Sequence, residues 1–98
     1  MVSNIRILDV VTTASTYEDG EAVCNKLLEQ IDAGHPVSVS FDGIQAVPSA
    51  FVNAAFLKLL ETHSFEEIRR LLKIRDSTRH INELVRSRFE FANAHRSR

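Results

Sequence analysis

The chain has 98 residues, of which 44 % are hydrophobic and 26 % are charged, and its formal net charge at pH 7 is -1. This length suffices for one hydrophobic core but not for two, and the composition is typical of a folded globular domain. The small net charge argues against a dedicated nucleic-acid binder, although Lys and Arg concentrate in the C-terminal third. We expect one domain over residues 1–98, with an ordered core over about 5–92 and a polar, frayed tail over 93–98.

Cys24 is the only cysteine, which excludes an intrachain disulfide and a cysteine-based zinc site. It falls at helical spacing among apolar residues, so we expect a buried side chain and not a reactive thiolate. The N-terminus has no basic region followed by a long apolar stretch, and the mainly apolar run 46–60 is too short to span a bilayer. These features predict a cytoplasmic protein without a signal peptide or a membrane anchor.

The first strand is predicted over Ile5–Val11, which is rich in β-branched residues. The segment Ser15-Thr-Tyr-Glu18 has the S-x-x-E form of a capping box and predicts the start of a helix. Behind it, apolar residues repeat every four positions and form the stripe of an amphipathic helix: Val23, Leu27 and Ile31. Gly34 and Pro36 predict the end of this helix.

A second strand is predicted over 37–41, and the Asp42-Gly43 dipeptide ends it in a turn. Pro48-Ser49 opens a second helix. Its apolar residues follow the pattern of a buried helix face: Val52, Ala55, Phe56, Leu59 and Leu60.

The segment 66–74 is ambiguous, because 66–72 can be helical while 71–74 is better interpreted as a short third strand. Asp76 or Ser77 can cap a third helix. That helix has its own apolar stripe: Ile81, Leu84, Val85 and Phe89.

The fold class that follows is α/β. The order is β-α-β-α-β-α, and helices between strands are crossover connections, which are right-handed and join parallel strands. We expect a small single-domain sandwich in which a largely parallel sheet of three or four strands is packed by helices. A further strand around 12–15 would be the fourth.

The segment from Val37 to Phe56 resembles the core of STAS domains, the fold of bacterial anti-sigma factor antagonists. It is most similar to a bacterial STAS-like family of unknown function. In that pattern an apolar strand ends in a turn with a glycine, and a segment with a serine and a following Phe starts the next helix. Gly43, Ser49 and Phe51 occupy these positions. The order of the flanking elements extends the resemblance to most of residues 5–92.

The resemblance implies a regulatory protein-interaction module, and not an enzyme, that docks a partner such as a histidine-kinase-type ATPase. In the antagonists, the serine or threonine at the start of this helix is phosphorylated by the partner kinase. Ser49 is the matching residue, although Pro48 and Ala50 stand where that motif has an acidic residue and, shortly after the serine, a glycine. The alternative for Ser49 is a helix cap without a switching role. The partner-binding residues implied are Gly43, Ser49, Phe51, Asn53, Arg75 and Arg79.

Two other functions remain open on the residues. A structural protein could form a homodimer through an exposed edge strand or through Phe51, Phe89 and Phe91. Less favoured is a nucleic-acid contact through the basic residues of the 69–79 segment, for which a solvated surface is the simpler interpretation. The cluster consists of Arg69, Arg70, Lys73, Arg75 and Arg79.

Catalytic, metal and cofactor sites are not indicated. The histidines are scattered, with no two at metal-ligand spacing, and the three glycines are too far apart to form a phosphate-binding loop. Asp9 and Asp42 both lie near predicted strand ends. A paired carboxylate site there is conceivable, but a turn and a solvent-facing residue explain them equally well.

Overall fold

The computed structural model describes residues 2–96, with the side chains of 95 and 96 left aside. In this part of the chain three strands alternate with five α-helices and one 3₁₀ helix. The strands are β1 (Ser3–Arg6), β2 (Val37–Ser40) and β3 (Leu72–Arg75). The helices are α1 (Ile7–Val10), α2 (Tyr17–Ile31), α3 (Ser49–Ala55), α4 (Phe65–Leu71) and α5 (Arg79–Arg96), and the 3₁₀ helix spans Leu57–Glu61.

The three strands form one parallel sheet in the order β1-β2-β3, which confirms the predicted α/β class. Both crossovers carry the chain across the sheet in the same direction, so right-handed connections place their helices on one face. Val37 and Val39 point to that face and are fully buried. The hydrophobic core therefore lies between one face of the sheet and the helices.

The opposite face of the sheet is polar and, among residues 2–96, carries no helix. The register aligns six polar residues on it: Asn4, Arg6, Ser38, Ser40, Lys73 and Arg75. Ser38 and Ser40 are nevertheless buried, and the Arg75 guanidinium donates a hydrogen bond to the Ser38 hydroxyl. Most parallel sheets are covered on both faces, so this open polar face is an uncommon feature of the fold.

The first strand is the clearest departure from expectation. β1 begins at Ser3 and ends at Arg6, whereas Ile7 starts a single helical turn closed by the Val11 N–H on the Ile7 carbonyl. Ile7 is fully buried. The predicted strand over 5–11 is confirmed at Ile5 and Arg6 and wrong from Ile7 onward, where burial of Ile7 overrides the β-propensity of its neighbours. No strand forms around 12–15, within the described residues.

The start of α2 lies one residue later than the sequence pattern indicated. Thr16 is the N-cap, its hydroxyl accepts from the Asp19 N–H at 3.0 Å, and the Asp19 carboxylate accepts from the Thr16 N–H at 3.2 Å. This is a capping box, but it is not the one predicted at Ser15 and Glu18. The Asp19 carboxylate also accepts from the Ser15 N–H. One carboxylate therefore binds the backbone N–H groups of both Ser15 and Thr16, the two residues that precede the helix.

The end of α2 is confirmed. Gly34 adopts a φ of 76°, its N–H donates to the Ile31 carbonyl, and the His35 N–H donates to the Gln30 carbonyl. These two bonds form a Schellman motif, in which the left-handed residue is usually glycine. The chain then enters β2 directly after Pro36.

The ambiguous segment contains both elements, since α4 ends at Leu71 and β3 follows without a loop. The cap of α5 is Thr78 and not Asp76 or Ser77, because the Ile81 N–H donates to the Thr78 hydroxyl at 3.1 Å. Asp76 instead adopts a left-handed φ of 57° in the turn. α5 continues to Arg96, into the segment expected to fray. No helix among residues 2–96 combines the length and the apolar character needed to cross a membrane.

Candidate functional site

The carboxyl ends of the three strands meet at one edge of the sheet, where charged side chains form a connected network. Arg6 donates to Asp9 at 3.1 Å and to Asp42 at 3.2 Å. Asp9 and Asp42, which sequence reasoning placed near strand ends, are thus brought together, but by a shared arginine. Each carboxylate accepts from the same Arg6 side chain, so the two acids and the arginine form one ion-pair network.

Ser40 joins β2 to the turn after β3. Its hydroxyl donates to the Asp76 carboxylate at 2.7 Å and accepts from the Asp42 N–H at 3.1 Å. This bond holds the left-handed Asp76 in place. The end of β2 is therefore fixed on both sides before the chain enters the loop that leads to α3.

Gly43 sets the course of that loop. It has a φ of 86°, and a Cβ at this position would lie 2.9 Å from the Leu8 Cδ1 atom. Both the left-handed backbone and the close approach favour glycine. Gly43 thus has a structural reason for its identity, apart from any contact with a partner.

The loop and the first turn of α3 expose a surface made of small and uncharged residues. We call this the β2–α3 surface and define it by its exposed members: Gly43, Gln45, Ala46, Pro48, Ser49 and Ala50. No charged residue occurs between Asp42 and Lys58. Interaction surfaces of proteins are depleted in charge at their centres, and the β2–α3 surface shares this one feature with them.

Ser49 is the first residue of α3 and does not cap it. Pro48 occupies the N-cap, no side chain caps the helix, and the Val52 N–H donates to the Pro48 carbonyl. The interpretation of Ser49 as an N-cap is therefore wrong, because the chain turns into the helix one residue earlier. Within the described residues, the exposed Ser49 hydroxyl makes no hydrogen bond, and it is accessible from solvent.

Phe51 does not belong to the surface on which sequence reasoning placed it. Its side chain is fully buried, because α3 turns this position toward the core under α2. It can neither meet a docked partner nor form a dimer contact. Phe89 is also buried, whereas Phe91 remains 51 % exposed, with the Arg88 guanidinium 5.1 Å from its ring centre.

The remaining predicted contact residues lie in different places. Asn53 is half-buried on α3 and accepts from Arg88 of α5 at 3.2 Å, and Arg79 is exposed at the start of α5. The Thr78 hydroxyl, next to Arg79, donates to the Gln45 carbonyl at 3.3 Å, so the start of α5 adjoins the β2–α3 surface. Arg75 is instead on the open face of the sheet.

The basic residues of the 69–79 segment do not form one patch. Arg69 and Arg70 are in the last turn of α4, on the helix side of the sheet, whereas Lys73 projects from the open face. Arg75 pairs with Asp76 at 3.5 Å. Because the α4 cations lie on the helix side of the sheet and the β3 cations on its open face, the sequence cluster does not present a continuous phosphate-binding surface.

His63 is an unforeseen feature of the molecule. Its Nε2 lies 2.7 Å from an Asp32 oxygen and its Nδ1 lies 2.8 Å from a Glu67 oxygen. An ionised carboxylate only accepts hydrogen bonds, so both contacts can be hydrogen bonds at once only when both ring nitrogens carry a proton, as in the imidazolium form. The two bonds raise the pKa of His63, Asp32 contributing most. The four-residue spacing of His63 and Glu67 could have predicted their contact from the sequence. Nothing in the sequence indicated the contact with the distant Asp32.

Cys24 is buried, and burial raises the pKa of its thiol above the ordinary value. Lys58 and Glu21 form an ion pair of 2.9 Å beside it. A raised pKa keeps the thiol protonated, which is the opposite of what a nucleophilic cysteine requires. The part of the chain that the structure describes contains no group of three His, Cys, Asp or Glu residues that could hold a metal ion.

Comparison with known proteins assigns the family. Residues 19–82 match the STAS-like domain of unknown function (DUF4325). The match runs from the capping box of α2 to the first turn of α5 and includes β2, the β2–α3 surface and β3. No curated protein and no solved structure matches the chain. The match covers more than half of the chain and the elements that carried the resemblance, so the chain belongs to this family of STAS-like domains.

Proposed function

We propose that this chain is a cytoplasmic, non-enzymatic regulatory module that binds a protein partner through the β2–α3 surface. The observation that carries the proposal is the exposed and uncharged character of this surface, with the unbonded Ser49 hydroxyl on it. The STAS-like family supports a protein-interaction role. The start of α5, with Arg79, adjoins the surface and extends it.

Ser49 is the residue through which binding would be controlled. A kinase-type ATPase partner would transfer the terminal phosphoryl group of ATP to the Ser49 Oγ. The bond between that phosphorus and ADP breaks, the Oγ–P bond forms, and the hydroxyl proton passes to a base of the kinase while ADP leaves. The product adds about -1.5 to -2 charges at pH 7. Arg79 adjoins the β2–α3 surface, but the six residues that define this surface carry no charge, so such a change among them would oppose a partner that packs against them.

The test is a pull-down in which the wild-type chain, Ser49→Ala and Ser49→Asp are each immobilised and exposed to an extract of the cells that naturally produce the protein. Mass spectrometry quantifies the proteins that each one retains. We expect one ATPase to be retained by wild type and Ser49→Ala and lost with Ser49→Asp. The matched control is Ser87→Asp, which adds the same charge at an exposed position of α5. Equal retention by Ser49→Asp and Ser49→Ala would contradict the switch, and the absence of any ATPase would contradict the partner class.

A further inference from the structure

The outer edge of β3 is an open edge of the sheet. In the described residues β3 pairs only with β2, and the Phe41 N–H donates to the Arg75 carbonyl. Parallel strands direct the N–H and C=O of alternate residues to the same neighbour. Lys73 and Arg75 therefore bond to β2, and the backbone groups of Leu72 and Ile74 face outward. The Leu72 N–H is used by the Ile68 carbonyl, which leaves the Leu72 carbonyl and both groups of Ile74.

An apolar groove accompanies this edge on the helix side, between α4 and α5. Its walls and floor are apolar side chains: Phe65, Ile68, Leu72, Ile74, Val85 and Phe89. Phe65, Leu72 and Ile74 are partly exposed, whereas the others are buried. A strand added to β3 would project alternate side chains into this groove, because successive side chains of a strand point to opposite faces.

Cations surround the edge, and one of them, Arg69, lies 5.8 Å from the centre of the Phe65 ring. Arg69 and Arg86 line the groove, and Lys73 projects from β3 on the open face. None of these three cations forms an ion pair in residues 2–96, although Glu90 lies at one end of the groove. An added strand whose apolar side chains enter the groove places its other side chains on the open face, where Lys73 lies. Acidic side chains at those positions would meet a cation that forms no ion pair among the described residues.

We infer that the edge of β3 and the α4–α5 groove bind an extended segment of another protein that alternates apolar and acidic residues. A second copy of this chain does not have that chemistry. None of its three strands contains an acidic residue: Ser-Asn-Ile-Arg, Val-Ser-Val-Ser and Leu-Lys-Ile-Arg. Pairing of β3 with its own copy would also place the Lys73 and Arg75 side chains of the two copies next to each other, which is destabilising. This surface is separate from the β2–α3 surface.

The probes are a short capped peptide that alternates valine and aspartate and its valine–lysine counterpart, titrated into the isotope-labelled full chain. We expect the acidic peptide alone to bind, with amide chemical-shift changes concentrated at Leu72–Arg75 and in the groove. The Lys73→Glu variant should lose affinity by about tenfold, that is about 1.4 kcal/mol. Arg70→Glu makes the same change of charge on α4, outside the groove and away from the open face, so it should leave the affinity nearly unchanged.

Three outcomes would overturn the inference. One is equal binding of the two peptides, or binding of neither. The second is shift changes located away from β3 and the groove. The third is concentration-dependent shifts at Leu72–Arg75 without peptide, which would make a second copy the occupant. Because Ser49 is not part of this surface, Ser49→Asp should bind the acidic peptide as the wild type does, and the two proposals fail separately.

Discussion

Gly20 determines how closely α2 and α3 can pack. A Cβ at Gly20 would lie 2.6 Å from the Phe51 carbonyl oxygen and 2.7 Å from the Ala54 Cβ. Ordinary contact begins at 3.4 Å, so Gly20→Ala must separate the two helices by about 0.8 Å at this point. Phe51 is fully buried, and its displacement would disturb the core beneath the β2–α3 surface.

Two opposing terms set the size of the effect. Replacing a helical glycine by alanine ordinarily stabilises a helix by about 0.5–1 kcal/mol. Overpacking a well-packed interior costs about 1–3 kcal/mol. Since one of the clashing atoms belongs to the backbone and cannot rotate away, we expect Gly20→Ala to lower the free energy of unfolding by about 1–2 kcal/mol.

The assay is urea unfolding followed by circular dichroism, with Asn25→Ala as the control. Asn25 is exposed on the same helix, so this substitution raises helix propensity without a clash and should stabilise slightly. The double variant Gly20→Ala/Ala54→Gly removes the Cβ contact but leaves the Phe51 carbonyl, and should recover only part of the loss. If Gly20→Ala proved as stable as Asn25→Ala, the close packing of α2 on α3 would be refuted.

Two further predictions concern pH and capping. The raised pKa of His63 means that its ion pairs contribute fully below about pH 6.5, its unfolded value, and that this contribution is lost as pH rises through the folded pKa. His63→Gln should therefore destabilise the chain most at acidic pH, unlike the exposed His35→Gln; a pH-independent difference in unfolding free energy would refute this. Thr16→Ala removes the N-cap of α2 and should lower the free energy of unfolding by about 1 kcal/mol. Ser15→Ala should lower the free energy of unfolding by less than about 0.5 kcal/mol. If thermal or urea unfolding showed a larger loss for Ser15→Ala than for Thr16→Ala, the N-cap would be Ser15 and not Thr16.

Local patterns predicted most of the helices because their causes are local. The four-residue repeat of Val23, Leu27 and Ile31 is buried as expected, and Gly34 ends α2 through its own backbone conformation. The alternation of apolar and polar residues in β2 also predicted which side chains face the core, as Val39 does. Periodicity and end signals depend on neighbours in the sequence, and these neighbours are visible without a structure.

The sequence-based predictions were wrong where contacts between residues far apart in the chain determine the local structure. Ile7 is drawn into the core, so the β-rich segment after Arg6 turns as a helix. Phe51 follows a surface-like loop, but α2 covers it through the close approach of Gly20. His63 meets Asp32 only because the segment before α4 packs beside the end of α2. Such contacts join residues far apart in the chain, and a single sequence gives no indication of them.

The most direct test of the β2–α3 surface as the docking site is a hydrogen-exchange footprint of the captured partner on the full chain. Docking at this surface predicts that amides from Gly43 to Ala50 and in the first turn of α5 become protected, and that Ser49→Asp abolishes this protection while Ser87→Asp preserves it. Protection confined to the open face of the sheet or to the edge of β3, with residues 43–50 exchanging as in the free chain, would contradict it.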